Sequence, residues 1–118
     1  MLEILMTLSS RQQIFAQNVG HLLEYIKCEG YECTLGEALR TPEMAELYAK
    51  QGKGIRNSLH CKRLAIDLNL FKDGVYLPDT EDYRAFGEYW ESLDPLNRWG
   101  GRFKDGGHFS MTDGITAG

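Results

Sequence analysis

The stretch Leu64-Ala65-Ile66-Asp67-Leu68-Asn69-Leu70-Phe71 constrains the fold more than any other part of the chain. Leu64, Ile66, Leu68 and Leu70 recur at every second position, so in a strand they line one face and leave Ala65, Asp67 and Asn69 on the other. Such a strand needs a core on one side and a use for a carboxylate on the other, because an ionised side chain buried without a partner is costly.

Two flanking segments supply that use. Upstream lies Ser58-Leu59-His60-Cys61-Lys62-Arg63, and near the C-terminus Asp105-Gly106-Gly107-His108 adds a second imidazole and a second carboxylate. Histidine and carboxylate donors in a set of three make a catalytic zinc site, with the fourth position left to water. His60, Asp67 and His108 are the candidate ligands. An unbroken strand would point His60 and Asp67 to opposite faces, so His60 must come from the loop before the strand and the chain must bend between them. The paired glycines allow a tight path into a short strand starting at His108, in which His108 and Ser110 alternate against Phe109 and Met111. Asp105 is then placed beside the metal water as a general base that takes its proton and returns it to the leaving group. Ser58 either holds the loop through backbone hydrogen bonds or is a plain polar loop residue; no third group is placed to orient His60 as the base of a serine nucleophile.

The pattern Ser-x-His-x6-Asp followed by Asp-x-x-His resembles the zinc peptidases that cut bacterial cell-wall peptides, namely D-alanyl-D-alanine carboxypeptidases and dipeptidases and phage L-alanyl-D-glutamate endopeptidases. Arg40-Thr41-Pro42 and Leu47-Tyr48-Ala49-Lys50-Gln51-Gly52-Lys53-Gly54 are similar to the family's upstream Arg-Thr segment and its helix ending in Tyr-x-x-Gly, so the resemblance runs from about Tyr31 to Met111. It implies ligand roles for His60, Asp67 and His108, the acid/base role for Asp105, and for Arg40 the polarising of the substrate carbonyl or stabilising of its oxyanion. Arg63 stands where many members carry Gly, a departure expected to touch substrate fit more than zinc binding. The base is often Glu in the carboxypeptidases and dipeptidases; Asp looks more like the phage endopeptidases. The resemblance therefore implies a zinc metallopeptidase acting on peptidoglycan stem peptides as an endolysin-type L-alanyl-D-glutamate endopeptidase. The alternatives are a D-Ala-D-Ala carboxypeptidase or dipeptidase, and a non-catalytic zinc-binding interaction or virion protein on the same fold.

The rest of the chain fits one α+β domain over residues 1–118, with helices on one side of a small, mainly antiparallel sheet that carries the zinc cleft, in the D-Ala-D-Ala peptidase or Hedgehog-like manner. Ser9 or Ser10 is expected to cap a helix whose Ile14, Phe15, Val19, Leu22, Leu23 and Ile26 form its core face, with Gly20 as a point of close approach, His21 exposed or merely packed, and Gly30 as the stop. Tyr31–Leu35 alternates as a strand. Thr41 and Pro42 open a second helix with Met44, Leu47 and Tyr48 on one face. Lys72-Asp73-Gly74 turns the chain into a returning strand at Val75–Leu77. Thr80–Tyr83 opens a third helix with Tyr83, Phe86, Tyr89 and Trp90 buried, and Pro95–Phe103 is expected as a loop, which the resemblance puts at the cleft mouth. There Trp99 either stacks on substrate or packs within the loop, and Arg98 or Arg102 is a candidate for a substrate carboxylate.

A formal charge of −4 without any basic run gives nucleic-acid binding no electrostatic support. Cys28, Cys33 and Cys61 are expected as reduced thiols rather than bridges or a structural zinc site. The N-terminal segment lacks a basic region and its apolar run is too short for a membrane span, so the expectation is accumulation in a host cytoplasm and action on the wall after release, or carriage in a virion; with neither a heptad nor a conspicuous exposed apolar run, a monomer is expected. Ile115–Gly118 is expected to fray.

Overall fold

A computed structural model describes residues 7–55 and 58–112, so the expectations for the N-terminal run and for Ile115–Gly118 lie outside the described residues. Helix α1 spans Leu8–Cys28, and its N-cap is Thr7 rather than either serine: the Thr7 hydroxyl accepts from the Ser10 N–H at 3.0 Å. Phe15, Leu22 and Ile26 are its buried stripe, whereas Gly20 faces open space and marks no close approach. Gly30, at φ +87°, follows the helix in a conformation only glycine adopts freely.

Strand β1 (Glu32–Leu35) pairs antiparallel with β2 (Ala65–Lys72), and β2 turns through Asp73 and Gly74, both at positive φ, into β3 (Val75–Leu77). Two successive positive φ values give a hairpin turn whose twist matches its strands. Strand β5 (His108–Met111) pairs with the first half of β2, and β4 (Asn97–Trp99) pairs with β5, giving the order β1-β2-β5-β4 with every pairing antiparallel. Leu64, Ile66, Leu68 and Leu70 are buried as their alternation requires, beneath α1 and helix α3 (Arg84–Leu93). Trp90 of α3 stands edge-on to Phe15 and Phe109 and donates its indole N–H to the Ser110 carbonyl at 2.9 Å, tying helix to sheet.

Two further expectations need correction. Pro95–Phe103 is not a loop throughout, because Asn97–Trp99 is strand β4, followed by a 3-10 turn at Gly100–Phe103. Trp99 is the packed residue: its indole donates to the Gly106 carbonyl at 2.8 Å and its ring occupies the space where Cβ atoms on Gly87 and Gly101 would lie, 2.1 Å from them. The second helix, α2 (Pro42–Lys50), is capped by Thr41 as its sequence dictates, but it buries only Ala45; Met44 and Leu47 are exposed. It lies apart from the α1/α3 layer; its Tyr48 ring is 5.0 Å from the guanidinium carbon of Arg40, and the residues that follow it, Lys53, Gly54 and Ile55, line a cleft. Among the described residues no helix is long and apolar enough to cross a membrane.

Candidate metal centre and cleft

The antiparallel register of β2 and β5 sets Asp67 directly opposite His108, so both side chains emerge on the face turned away from the helices. His60 arrives from a 3-10 turn at Leu59–Lys62. The bend that the sequence demands is made there: Ser58 caps the turn, its hydroxyl accepting from the His60 N–H at 3.1 Å, and Arg63 reverses the chain with φ 57° and ψ 36°. Ser58 therefore holds the loop. The glycine that the resemblance would put at position 63 has a backbone reason, since the left-handed region favours glycine, and Arg63 does not line the cleft. Arg63→Gly is expected to stabilise the protein by up to about 1 kcal/mol, or about 4 °C in Tm by thermal unfolding, because relief of strain exceeds the added freedom of the unfolded chain. A lower Tm in the variant would mean that the Arg63 side chain outweighs the backbone term.

The three candidate ligands converge. One donor atom from each of His60, Asp67 and His108 lies within 4.8 Å of the others. His60 Nε2 is 3.4 Å and His108 Nδ1 is 3.2 Å from the same Asp67 oxygen. Donors about 2.1 Å from a tetrahedral ion stand about 3.4 Å apart, so these two spacings match the edges of a zinc coordination shell. The Ala38 carbonyl, 3.3 Å from His60 Nδ1, can only accept, which makes Nδ1 the protonated nitrogen and turns the Nε2 lone pair toward Asp67. His108 Nε2 is buried without a hydrogen-bond partner among the described residues, and its ring is therefore oriented through Nδ1. The donor set, its spacing and the fixed tautomer of His60 all fit a zinc ion. Burial alone would raise the Asp67 carboxyl, but the two imidazoles beside it, His108 and then His60, outweigh burial and hold the group well below the ordinary carboxylate range.

Asp105 faces the same cleft from the turn before β5. Loss of water contact there pushes its carboxyl above the ordinary value, opposed by His108 and His60 and reinforced by the Asp67 charge. Gly100 lets this turn close: a Cβ there would stand 2.4 Å from the Asp105 carbonyl and 2.7 Å from His108 Cβ. Arg40 also reaches the cleft, paired with Glu37. Arg98 and Arg102 do not line it; Arg98 donates to the Pro95 and Asn97 carbonyls, and Arg102 pairs with Glu91. The cysteines are free and stand outside the cluster.

Two recesses meet at Asp67 and Asp105. The first, about 330 Å³, has Arg40, Lys53, Ile55 and Phe103 in its walls; the second, about 280 Å³, has Asn69, Tyr76, Thr80 and Lys104. Sequence reading missed Lys53, Ile55, Phe103 and Lys104, and only the 82% exposure of Phe103 beside the candidate metal centre makes it conspicuous.

Comparison with known proteins agrees with this geometry. A family model described as D-alanyl-D-alanine carboxypeptidase matches residues 51–111, a span that includes all three candidate ligands and Asp105. No curated protein matches the sequence. Among solved structures, the L-Ala D-Glu endopeptidase ChiX of Serratia marcescens is similar in fold, with a TM-score of 0.60 and 22% identity over 69% of this chain and 67% of that one. The vancomycin-resistance D,D-pentapeptidase VanY of a VanB-type cassette, solved with Zn(II), has a TM-score of 0.57 and 19% identity over 82% of this chain and 70% of that one.

Proposed function

The chain belongs to the D-alanyl-D-alanine carboxypeptidase family and is a zinc-dependent peptidase, and from that premise we propose that it is an endopeptidase of peptidoglycan stem peptides, cutting the L-Ala–D-Glu bond as phage endolysins of this type do. The observation that supports an endopeptidase is a second recess that shares Asp67 and Asp105 with the first. An exopeptidase ends its cleft just beyond the scissile bond and meets a terminal carboxylate there. Here each of the two recesses offers room for one side of a cut bond. The recess with Ile55 and Phe103 suits the small apolar L-Ala side, and the polar recess with Lys104 suits D-Glu and its free carboxylate.

In this reading His60, Asp67 and His108 would hold a zinc ion, which when bound would supply Lewis acidity to the scissile carbonyl and to a water. Asp105 takes a proton from the attacking water and delivers it to the departing nitrogen, so that the amine leaves neutral. Arg40 directs guanidinium N–H groups at the carbonyl oxygen as negative charge develops there. The likeness to ChiX, named as an L-Ala D-Glu endopeptidase, favours the same bond.

The test is digestion of defined stem peptides by the zinc-loaded protein, with products read by mass spectrometry. A new amino terminus on D-Glu is expected, lost on chelation and restored by zinc. Release of D-Ala alone would reassign the protein as a carboxypeptidase, and an intact substrate set with zinc bound would reassign it as a non-catalytic zinc protein.

A further inference from the structure

Glu37 has no part in the mechanism above, yet it sits where two of its elements join. The segment 36–40 between β1 and α2 is bonded to both ligand-bearing pieces of backbone. Gly36 N–H donates to the Asp67 carbonyl at 2.7 Å and Asp67 N–H donates to the Glu37 carbonyl at 2.9 Å. His60 Nδ1 donates to the Ala38 carbonyl, and Arg40 N–H to the His60 carbonyl at 3.2 Å. Within this strap one oxygen of the Glu37 side chain accepts from Arg40 Nε at 2.7 Å and from Arg40 Nη2, and that oxygen is also 4.0 Å from His60 Nδ1. The His60 and Arg40 side chains are 2% and 12% exposed, and that of Glu37 28%, so the contact is partly withdrawn from solvent.

We propose that Glu37 is a positioning residue that serves two groups with one carboxylate, fixing the Arg40 guanidinium in the cleft and supporting the His60 imidazole as a metal ligand. The inference rests on the roles given above to Arg40 and His60. An arginine aimed at a site that takes a divalent cation is repelled by it and is free to adopt many rotamers; a carboxylate that engages Nε and one Nη2 hydrogen cancels the repulsion and selects one. The Nη1 group remains for substrate, and Gly54 leaves it space, since a Cβ there would only reach ordinary contact at 3.5 Å. On the other side, negative charge near the protonated nitrogen of a ligating imidazole raises the basicity of the opposite nitrogen, as carboxylate partners of zinc-bound histidines do. Ala38 fixes the tautomer of His60, and Glu37 supplies the charge.

Glu37→Gln keeps the shape and removes the charge. Zinc affinity, measured by competition with a chromophoric chelator, is expected to fall about 10-fold or more while the Tm of the metal-free protein moves little. At saturating zinc, kcat on a stem peptide is expected to fall about 10- to 100-fold with little change in KM, because the guanidinium is no longer held. In an Arg40→Ala background the same substitution should cost no further kcat and still weaken zinc. Unchanged zinc affinity and kcat in Glu37→Gln would overturn the proposal, as would an equal further loss of kcat in the Arg40→Ala background. If the wild-type protein binds zinc but cuts no stem peptide, the substrate reading fails, and the zinc measurement alone decides the role of Glu37.

Discussion

Asp67→Ala is expected to take zinc binding and hydrolysis away together while leaving the fold in place. Asp67 is the only carboxylate of the triad, and both imidazoles approach the same one of its oxygens. A three-donor site that loses one donor surrenders roughly a third of a binding free energy on the order of 10 kcal/mol, which is two to three powers of ten in affinity. The loss should be larger than this in activity, because the two remaining histidines no longer fix an ion against the cleft. The backbone of Asp67, which holds Gly36 and Glu37, is untouched by the substitution, so the metal-free variant should still fold, with a Tm lowered by the loss of the carboxylate's contacts with His108 and His60. Zinc content of the purified proteins, with His60→Ala and His108→Ala prepared alongside, reads the result directly. Full zinc occupancy in Asp67→Ala would put the metal elsewhere and remove the basis of the mechanism.

The second large effect separates chemistry from metal binding. Asp105→Ala should lower kcat by about 10²- to 10⁴-fold, the range for losing a positioned acid/base group, with zinc retained. Asp105 contributes no donor atom to the triad and its side chain lies at the cleft surface, so neither affinity nor Tm has reason to move far. Asp105→Glu, which keeps a carboxylate at this position, should recover part of the rate. Parent-like turnover in Asp105→Ala would assign the proton transfer to another group. Zinc loss in that variant would instead make Asp105 part of the metal shell.

The candidate site was legible where local pattern and register carry the information. The alternation from Leu64 to Leu70 dictates which face of β2 reaches the core, and it leaves Asp67 on the other. Once β5 pairs antiparallel with β2, His108 has no choice but to face Asp67. The need for a bend after His60 could also be stated in advance, though not that Arg63 would make it in a glycine-like conformation. Strand β4 was not legible. It is three residues long, follows a proline, and exists because β5 offers a free edge and Trp99 needs a buried position, neither of which its own sequence displays. The apolar residues of α2 misled for the converse reason: their spacing is that of a core face, but the helix lies beside the cleft rather than in the α1/α3 layer, so Met44 and Leu47 stay in solvent. Glu37, Lys53 and Lys104 acquire their positions only when distant segments meet, and a lone charged residue in a loop carries no signal of that.

The contact of Trp99 with Gly87 and Gly101 bears on how freely this sequence can vary. The indole takes the space that any side chain at either glycine would need, and its N–H holds Gly106, next to Asp105. A methyl group added on α3, on the far side of the sheet from the cleft, would push the ring and with it the turn that presents the carboxylate. Mutational tolerance should therefore be poor at two positions that never meet a substrate, and a survey of substitutions that silence the enzyme would return Gly87 and Gly101 alongside the ionisable residues of the cleft.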